Sequence, residues 1–396
     1  LVGHDCRVYD SGLIAGGMRL HTHMSESYAM NMLVTPPRVG LAMIVRNEAP
    51  VIARCLRSVA SLIDCWTIVD TGSTDGTQQI VTEMMAELGI PGQLYERPWQ
   101  DFGTNRSECL ALARPLAEYS FVIDADEVLV TTYALPKVAL THPVYMLEVQ
   151  LGNLRYLRQC LFDNRLPWRY LGALHEYPDA GEKLRPILID SLCVSCGAGS
   201  QGARSRNPRK YHDDAELLLR ALAVEPDNLR YHYYLGQSWR DAREYQLAHD
   251  AYAHRASLGG SAEEVWHAQY QQANMKVLLD HAPAEIAEAY LSAWELRPTR
   301  LEPLVWLAAY WRSREQWQRI ILLLDGLPPM AKPPAGLFVE APCYGWRRHD
   351  ELAIALFNTG RLAEARAQWQ QALALQDADA TQTARMQKGL GSCHQG

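Results

Sequence analysis

No run of eighteen or more apolar residues occurs in the 396-residue chain, so no membrane-spanning helix is expected. An excess of positive charge is missing as well. The formal net charge is −7, which argues against a general nucleic-acid binder and leaves room only for a local basic patch. Nor is there a cysteine framework. Nine cysteines lie scattered, an odd number without the spacing of a disulfide scaffold, and that usage fits a reducing, cytoplasmic setting. Cys193 and Cys196 form a lone Cys-x-x-Cys with no second ligand pair at zinc spacing, so they read as buried thiols. The first 38 residues lack periodicity and an apolar stretch long enough for a signal peptide, and the chain opens on Leu1 rather than Met. They are set aside as a leader, poorly ordered or foreign to the natural protein. What is present is ordinary for a soluble globular protein: 48% hydrophobic and 21% charged residues, in a chain long enough for two or three domains.

One stretch stands out against this background. Tyr119-Ser120-Phe121-Val122-Ile123 reads as a buried strand and runs straight into Asp124-Ala125-Asp126-Glu127. Like charges this close repel, and at least one pKa should rise unless a cation sits there. A divalent metal bound to a diphosphate relieves that repulsion, because hard cations take carboxylate and phosphate oxygens together. A merely solvated acidic loop is the alternative at this point.

Upstream, the pattern alternates. Gly40–Val45 is a continuous apolar run, as in a buried parallel strand. Pro50 suits a helix start, and Val51, Ile52, Cys55, Leu56 and Val59 follow at helical spacing. Trp66–Val69 is a second strand, followed by the turn-rich Asp70-Thr71-Gly72-Ser73-Thr74-Asp75-Gly76-Thr77 and a helix over Gln78–Leu88. Gln93–Glu96 reads as a third strand and Thr104–Arg114 as a helix stopped near Pro115. This order implies a parallel sheet covered by helices, with ligands beyond the carboxyl ends of the strands. Asn47-Glu48, Asp70 and Asp124–Asp126 all fall at such ends and should converge on one crevice. Beyond Glu127, short strands over 144–149, 156–162, 170–174 and 187–194 have no long helices between them and suggest antiparallel additions to the sheet.

These residues resemble family 2 glycosyltransferases with the GT-A fold. The matching elements are Met43–Glu48, Val69–Thr77, Gly103-Thr104-Asn105-Arg106 and Asp124-Ala125-Asp126, in order and at matching spacing over about residues 39 to 200. The resemblance implies an α/β GT-A domain, a Rossmann-like mixed sheet with helices on both faces. It also implies a UDP-sugar donor and Mn²⁺ or Mg²⁺. Asp70 matches the residue that accepts a hydrogen bond from uracil, and Asn47 and Glu48 match the loop beside the nucleoside. Asn105 and Arg106 match the segment facing the nucleotide. Asp124 and Asp126 match the DxD pair, Asp126 as direct metal ligand and Asp124 near the ribose or a metal water. Asp75 has a second reading as a helix cap, and Arg106 as a surface residue.

Family 2 enzymes are typically inverting, so the resemblance implies one displacement at the anomeric carbon, with a general base at the acceptor. Trp168–Tyr177 contains a His-Glu pair after a strand, similar to that of close relatives. Glu176 is the candidate base and His175 a candidate contact to diphosphate or metal. A structural pair bracing the loop is the alternative. Arg204, Arg206, Arg209 and Lys210 put four basic residues in seven positions. Arg204 and Arg206 suit a phosphate-binding flap, and an exposed linker is the other reading. Related sequences carry an acidic residue where this chain has Gln201, so the metal site is open to change there.

From 211 onward, Ala, Leu, Trp and Tyr recur at helical spacing. Leu235-Gly236, Trp239, Ala248 and Tyr252 follow the tetratricopeptide pattern, echoed at Leu307-Ala308 with Trp311, at Tyr290, Ala293 and Pro298, and at Asn358–Ala365 with Trp369. Eight of eleven tryptophans lie after residue 210 and read as packing residues of an all-α solenoid, interrupted by a loop at Pro328–Pro334. The expected organisation is leader 1–38, glycosyltransferase domain 39–210 and repeat domain 211–396. Such a fusion resembles bacterial peptide S-glycosyltransferases of the sublancin type. That implies a peptide or protein acceptor, with glycan or a modified nucleobase as alternatives, docked on the repeats, whose concave surface also suits a second subunit in a homodimer. A non-catalytic scaffold is the rival. A nucleotidyltransferase ranks last, because no glycine follows the first strand.

Overall fold

A computed structural model of the protein describes residues 36–131, 140–152, 154–197, 202–334 and 336–393. Most of the leader and Gln201 lie outside the described residues. The chain divides between Ala221 and Leu222 into two compact units.

The first unit is built on an eight-stranded sheet, among the described residues, whose strands lie in the order 92–96, 65–70, 39–45, 119–122, 154–163, 144–151, 187–196 and 127–131. Its parallel half comprises β1 (Val39–Val45), β2 (Cys65–Asp70), β3 (Gly92–Glu96) and β4 (Tyr119–Val122). All of β2 and nearly all of β1 are buried, as continuous apolar runs in a sheet covered on both faces should be. Along β1, Leu41, Met43 and Val45 pack in one core with Ile52, Cys55, Leu56 and Val59 of helix α1 (Ile52–Val59) and with Val81 and Met85 of α2 (Thr77–Glu87). Ala42 faces the opposite core with Cys109 and Leu110 of α3 (Phe102–Ala113). Alternation along one strand thus serves two helical layers.

The second half is less regular. β5 (Glu127–Thr131) follows the acidic stretch and pairs antiparallel with β10 (Ile187–Cys196) at the sheet edge. Glu127 therefore opens a strand rather than closing an acidic loop. β6 (Val144–Leu151) and β7 (Leu154–Asp163) form an antiparallel hairpin, whereas β10 joins β6 in parallel. The additions are thus mixed, not wholly antiparallel. β8 (Arg169–Leu171) is shorter than its apolar pattern suggests and pairs with β9 (Tyr177–Asp179) as a separate ribbon. Gly172, at φ 105°, ends β8 and begins the turn that carries His175 and Glu176. A four-residue helix, α4 (Ala203–Arg206), and α5 (Lys210–Val224) follow.

The second unit is all-α: α6 (Leu229–Asp241), α7 (Tyr245–Ser257), α8 (Ala262–Leu278), α9 (Pro283–Leu296), α10 (Glu302–Ser313), α11 (Trp317–Leu324), α12 (Ala341–Tyr344), α13 (Trp346–Asn358), α14 (Leu362–Ala374) and α15 (Ala380–Ser392). Small residues lie against large rings, as tetratricopeptide hairpins require. A Cβ at Gly236 would strike the Tyr252 ring, and one at Gly389 the Trp369 indole. All eight tryptophans beyond residue 210 belong to hydrophobic clusters. No helix among the described residues is long and apolar enough to cross a membrane.

Candidate active site at the strand ends

The crevice begins where β1 stops. Asn47 takes a left-handed backbone, φ 55°, which asparagine tolerates better than most residues. Its N–H donates to Ser73 Oγ at 2.8 Å, and its Oδ1 accepts from Thr74 N–H at 2.8 Å. Glu48 N–H donates to Thr77 Oγ1 at 2.9 Å. The loops after β1 and β2 are therefore laced together. Asp75 accepts from Thr77 N–H and from Ala49 N–H, so it braces this lacing.

Asp70 ends β2 and is 1% exposed. Its Oδ1 accepts from Gly72 N–H, Ser73 N–H and the Gln78 amide. Its Oδ2 is buried without a hydrogen-bond partner. A buried carboxylate oxygen left open in this way is costly, and it suits a ligand N–H.

The acidic stretch after β4 is sorted by arginines. Glu127 is buried and held by both Nη atoms of Arg158, and it also accepts from Cys196 Sγ and Asp124 N–H. Asp124 accepts from Arg106 Nη2 through Oδ1, with Arg158 at 3.8 Å from Oδ2. The Asp126 carbonyl accepts from Arg54 Nη2 at 3.0 Å. Its carboxylate lies against Gly202, where a Cβ would collide with Oδ2. The next residue, Ala203, donates its N–H to Glu48 at 3.1 and 3.2 Å, and Arg206 Nη2 donates to the Asn47 carbonyl at 2.6 Å. Residues 202–206 thus bring Asp126, Glu48 and Asn47 to one place. Burial, with Asp126 and Asp124 adding repulsion, pushes the Glu48 carboxyl up to about 7.

Arg106 does more than border the crevice. Its side chain is 9% exposed, with Nε 2.7 Å from Glu176 Oε1 and Nη2 on Asp124, while the guanidinium lies 5.7 Å from the Tyr170 ring centroid. Glu176 and Asp124 are therefore tied through one cation. His175 precedes Glu176 in the left-handed region, φ 54°. The turn is pressed onto α3, for a Cβ at Gly103 would strike the Gly172 carbonyl.

Two sequence candidates stand in other surroundings. Asn105 is fully buried, accepting from Gln100 N–H and donating to the Pro98 carbonyl, so it shapes the loop before α3. Arg204 grips Asp214 with both Nη atoms at 2.9 Å and lies over Phe102. The sequence pattern did not point to Arg158 or Arg54. Three carboxylates in four residues imply counter-charge, but nothing local points to an arginine from a distant strand.

Among the described residues, no three His, Cys, Asp or Glu side chains are grouped as a metal cage. A hard divalent ion that shares one or two carboxylates with substrate phosphates needs no such cage. Asp126 and Asp124, with the repulsion felt by Glu48, supply the donor type such an ion requires. The raised Glu48 pKa carries a pH signature. Without added divalent ion, its stability contribution is full below about 4.5 and is lost as pH rises toward about 7, because the unfolded chain ionises first. Glu48→Gln should therefore gain stability relative to the parent between those values and hold a constant advantage above them. Thermal melts of both proteins across pH 4–8 check this, and a constant difference at every pH would contradict it.

Residues 41–201 match the family model described as glycosyl transferase family 2. A tetratricopeptide (TPR) repeat-containing protein of Synechococcus elongatus is 36% identical over 151 residues, covering 36% of this chain and 36% of that protein. The match thus spans little more than a third of that relative. Among solved structures, S. aureus TarS 1–349 in complex with UDP-GlcNAc aligns with a TM-score of 0.33 and 12% identity, covering 60% of this chain and 86% of that one. MamA from Desulfovibrio magneticus aligns with a TM-score of 0.34 and 11% identity, covering 43% and 88%. Likeness of that size carries no function across. The family match supports glycosyl transfer in general.

Proposed function

We propose that the unit matching glycosyl transferase family 2 is a working enzyme: a metal-dependent, inverting transferase that moves a sugar from a UDP-sugar to a peptide or protein side chain. The observation that carries this reading is the placement of Asp70 and Asp124–Asp126 at the ends of β2 and β4, the two strands that flank β1, with one buried Asp70 oxygen lacking a partner. In this reading Asp70 Oδ2 accepts the ring N–H of uracil, and the Asn47–Glu48 loop flanks the nucleoside. Asp126, with Asp124, would hold Mn²⁺ or Mg²⁺, which would supply positive charge beside the diphosphate.

Glu176 then acts as general base. The acceptor heteroatom attacks the anomeric carbon from the face opposite the diphosphate. As that bond forms and the bond to the UDP oxygen breaks, the acceptor proton passes to Glu176. Arg106 grips Glu176 Oε1 and so fixes the direction in which the carboxylate points. His175 borders the same turn, and Arg206 borders the nucleoside loop.

Glu176→Gln tests the assignment. Donor affinity should stay within about twofold of the parent, while transfer falls by about a hundredfold or more, the usual range for a lost general base. Donor binding by calorimetry and product formation on an acceptor library read the two separately. Normal transfer by the variant would remove Glu176 as base.

A further inference from the structure

The second unit holds a short segment that sits on its helices as a ligand would. Residues 336–340, Gly-Leu-Phe-Val-Glu, follow α11 and cross the face shared by α8 and α10. On α8, Glu263, His267 and Tyr270 recur at helical spacing, and on α10 Glu302 and Trp306 do the same, so each set lies on one side of its helix.

Main chain and side chains are both read. Leu337 N–H donates to Glu263 Oε2 at 3.3 Å, and its carbonyl accepts from Arg300 Nη2 at 3.0 Å. Glu340 N–H donates to Glu302 Oε1 at 3.1 Å. The Phe338 ring lies 4.9 Å from that of His267, whose charge burial suppresses. The Glu340 carboxylate meets two donors from different helices: Tyr270 OH at 2.6 Å to Oε1 and Trp306 Nε1 at 2.8 Å to Oε2. An indole N–H can only donate, so this end of the face selects an acceptor and turns away a cation.

The way the segment is held differs from a core connection. Downstream, Cys343 is fully buried with Leu301 and Val305. Residues 336–340 are only half-buried, with Leu337 and Glu340 held by polar contacts and the Glu340 carbonyl accepting from Cys343 N–H where α12 begins. Phe338 has φ 47°, the left-handed region that a bulky side chain rarely adopts. Strain of this kind persists where surrounding contacts impose it, and it collects at ligand clamps and switches.

We propose that the α8–α10 face is a peptide-binding groove that takes an aromatic residue followed two positions later by a carboxylate, and that residues 336–340 occupy it as a built-in, strained copy of that ligand. A peptide free of the chain adopts an unstrained backbone there and displaces the segment. This does not depend on the transferase reading, because it concerns binding by the second unit alone.

The test uses the full chain and a labelled peptide with the sequence of residues 334–342. Phe338→Ala/Glu340→Ala empties the groove, so it should bind the peptide more tightly than the parent, by about tenfold or more as self-competition is removed. A peptide carrying the same two alanines should bind neither protein. Adding Tyr270→Phe and Trp306→Phe to the emptied variant should abolish binding. Equal affinity for parent and emptied variant, or for both peptides, would overturn the proposal. Dimerisation of the emptied variant would give the groove to a second copy and overturn it too. Should that variant lose its cooperative melt, hydrogen exchange on the parent decides. Excess peptide must speed exchange at the Leu337 and Glu340 amides, and unchanged rates would show a purely structural connection.

Discussion

Asp126→Ala should abolish Mn²⁺-dependent binding of UDP and lower transfer by about a hundred- to a thousandfold, the range for removing one electrostatic contact to charge that develops in a transition state. The fold should survive. Asp126 is half-buried in a turn, and its side chain fills no part of the hydrophobic cores. Its carboxylate also contributes to the repulsion that raises Glu48 to about 7. Deleting it relieves that repulsion, so the variant should melt at the parent's temperature or slightly above. Loss of binding with no loss of stability marks a group kept for function at a cost to the fold. Calorimetric titration with UDP and Mn²⁺, paired with a thermal melt, reads both. Parental affinity in the variant would remove Asp126 as the metal ligand.

Arg106→Leu should be the most destabilising single change in the first unit's crevice. The guanidinium is buried and holds Asp124 and Glu176 at once. Removing it takes the cation from the Glu176 contact and leaves Asp124 only the longer approach of Arg158, at 3.8 Å, while both carboxylates stay poorly solvated. Breaking a buried pair by deleting one partner costs about 3–5 kcal/mol. Lysine should not rescue, since one ammonium cannot reproduce a planar fork reaching two carboxylates in different directions. Urea midpoints measure the loss. Adding Glu176→Gln to Arg106→Leu should restore part of it, because the second carboxylate is then gone, and that non-additivity identifies the pair as coupled. A loss below about 1 kcal/mol, or strict additivity, would place Arg106 among exposed ion pairs instead.

β1, β2 and β4 were legible because burial on both faces writes itself as continuous apolar runs, as in Leu41–Val45 and Trp66–Val69, whereas the edge strand β3 is half-exposed and stood out only by its place between two helices. The crevice was legible for the same reason: once strand ends are known, Asn47, Asp70 and Asp124 fall at them. β5 was hidden because its first residue, Glu127, reads as part of an acidic loop, and only the distant Arg158 explains how that charge enters a sheet. Pairing of β10 with β6 is long-range and leaves no local trace. Asn105 carries the right motif, yet its amide is engaged by the backbone at residues 98 and 100. The Pro328–Pro334 stretch correctly marks a loop, but sequence periodicity says nothing of where the chain beyond it lies, so the contacts of Phe338 and Glu340 appear only in three dimensions.

The most direct test of the account is thermal stability against a panel of nucleotides and nucleotide sugars, with and without Mn²⁺. Binding to the native state alone raises the melting temperature by mass action. A metal-dependent rise is expected with UDP, larger with one UDP-sugar and absent in Asp126→Ala. No rise with any nucleotide, in either condition, would contradict it and leave the chain a binding scaffold whose first unit has lost its donor site.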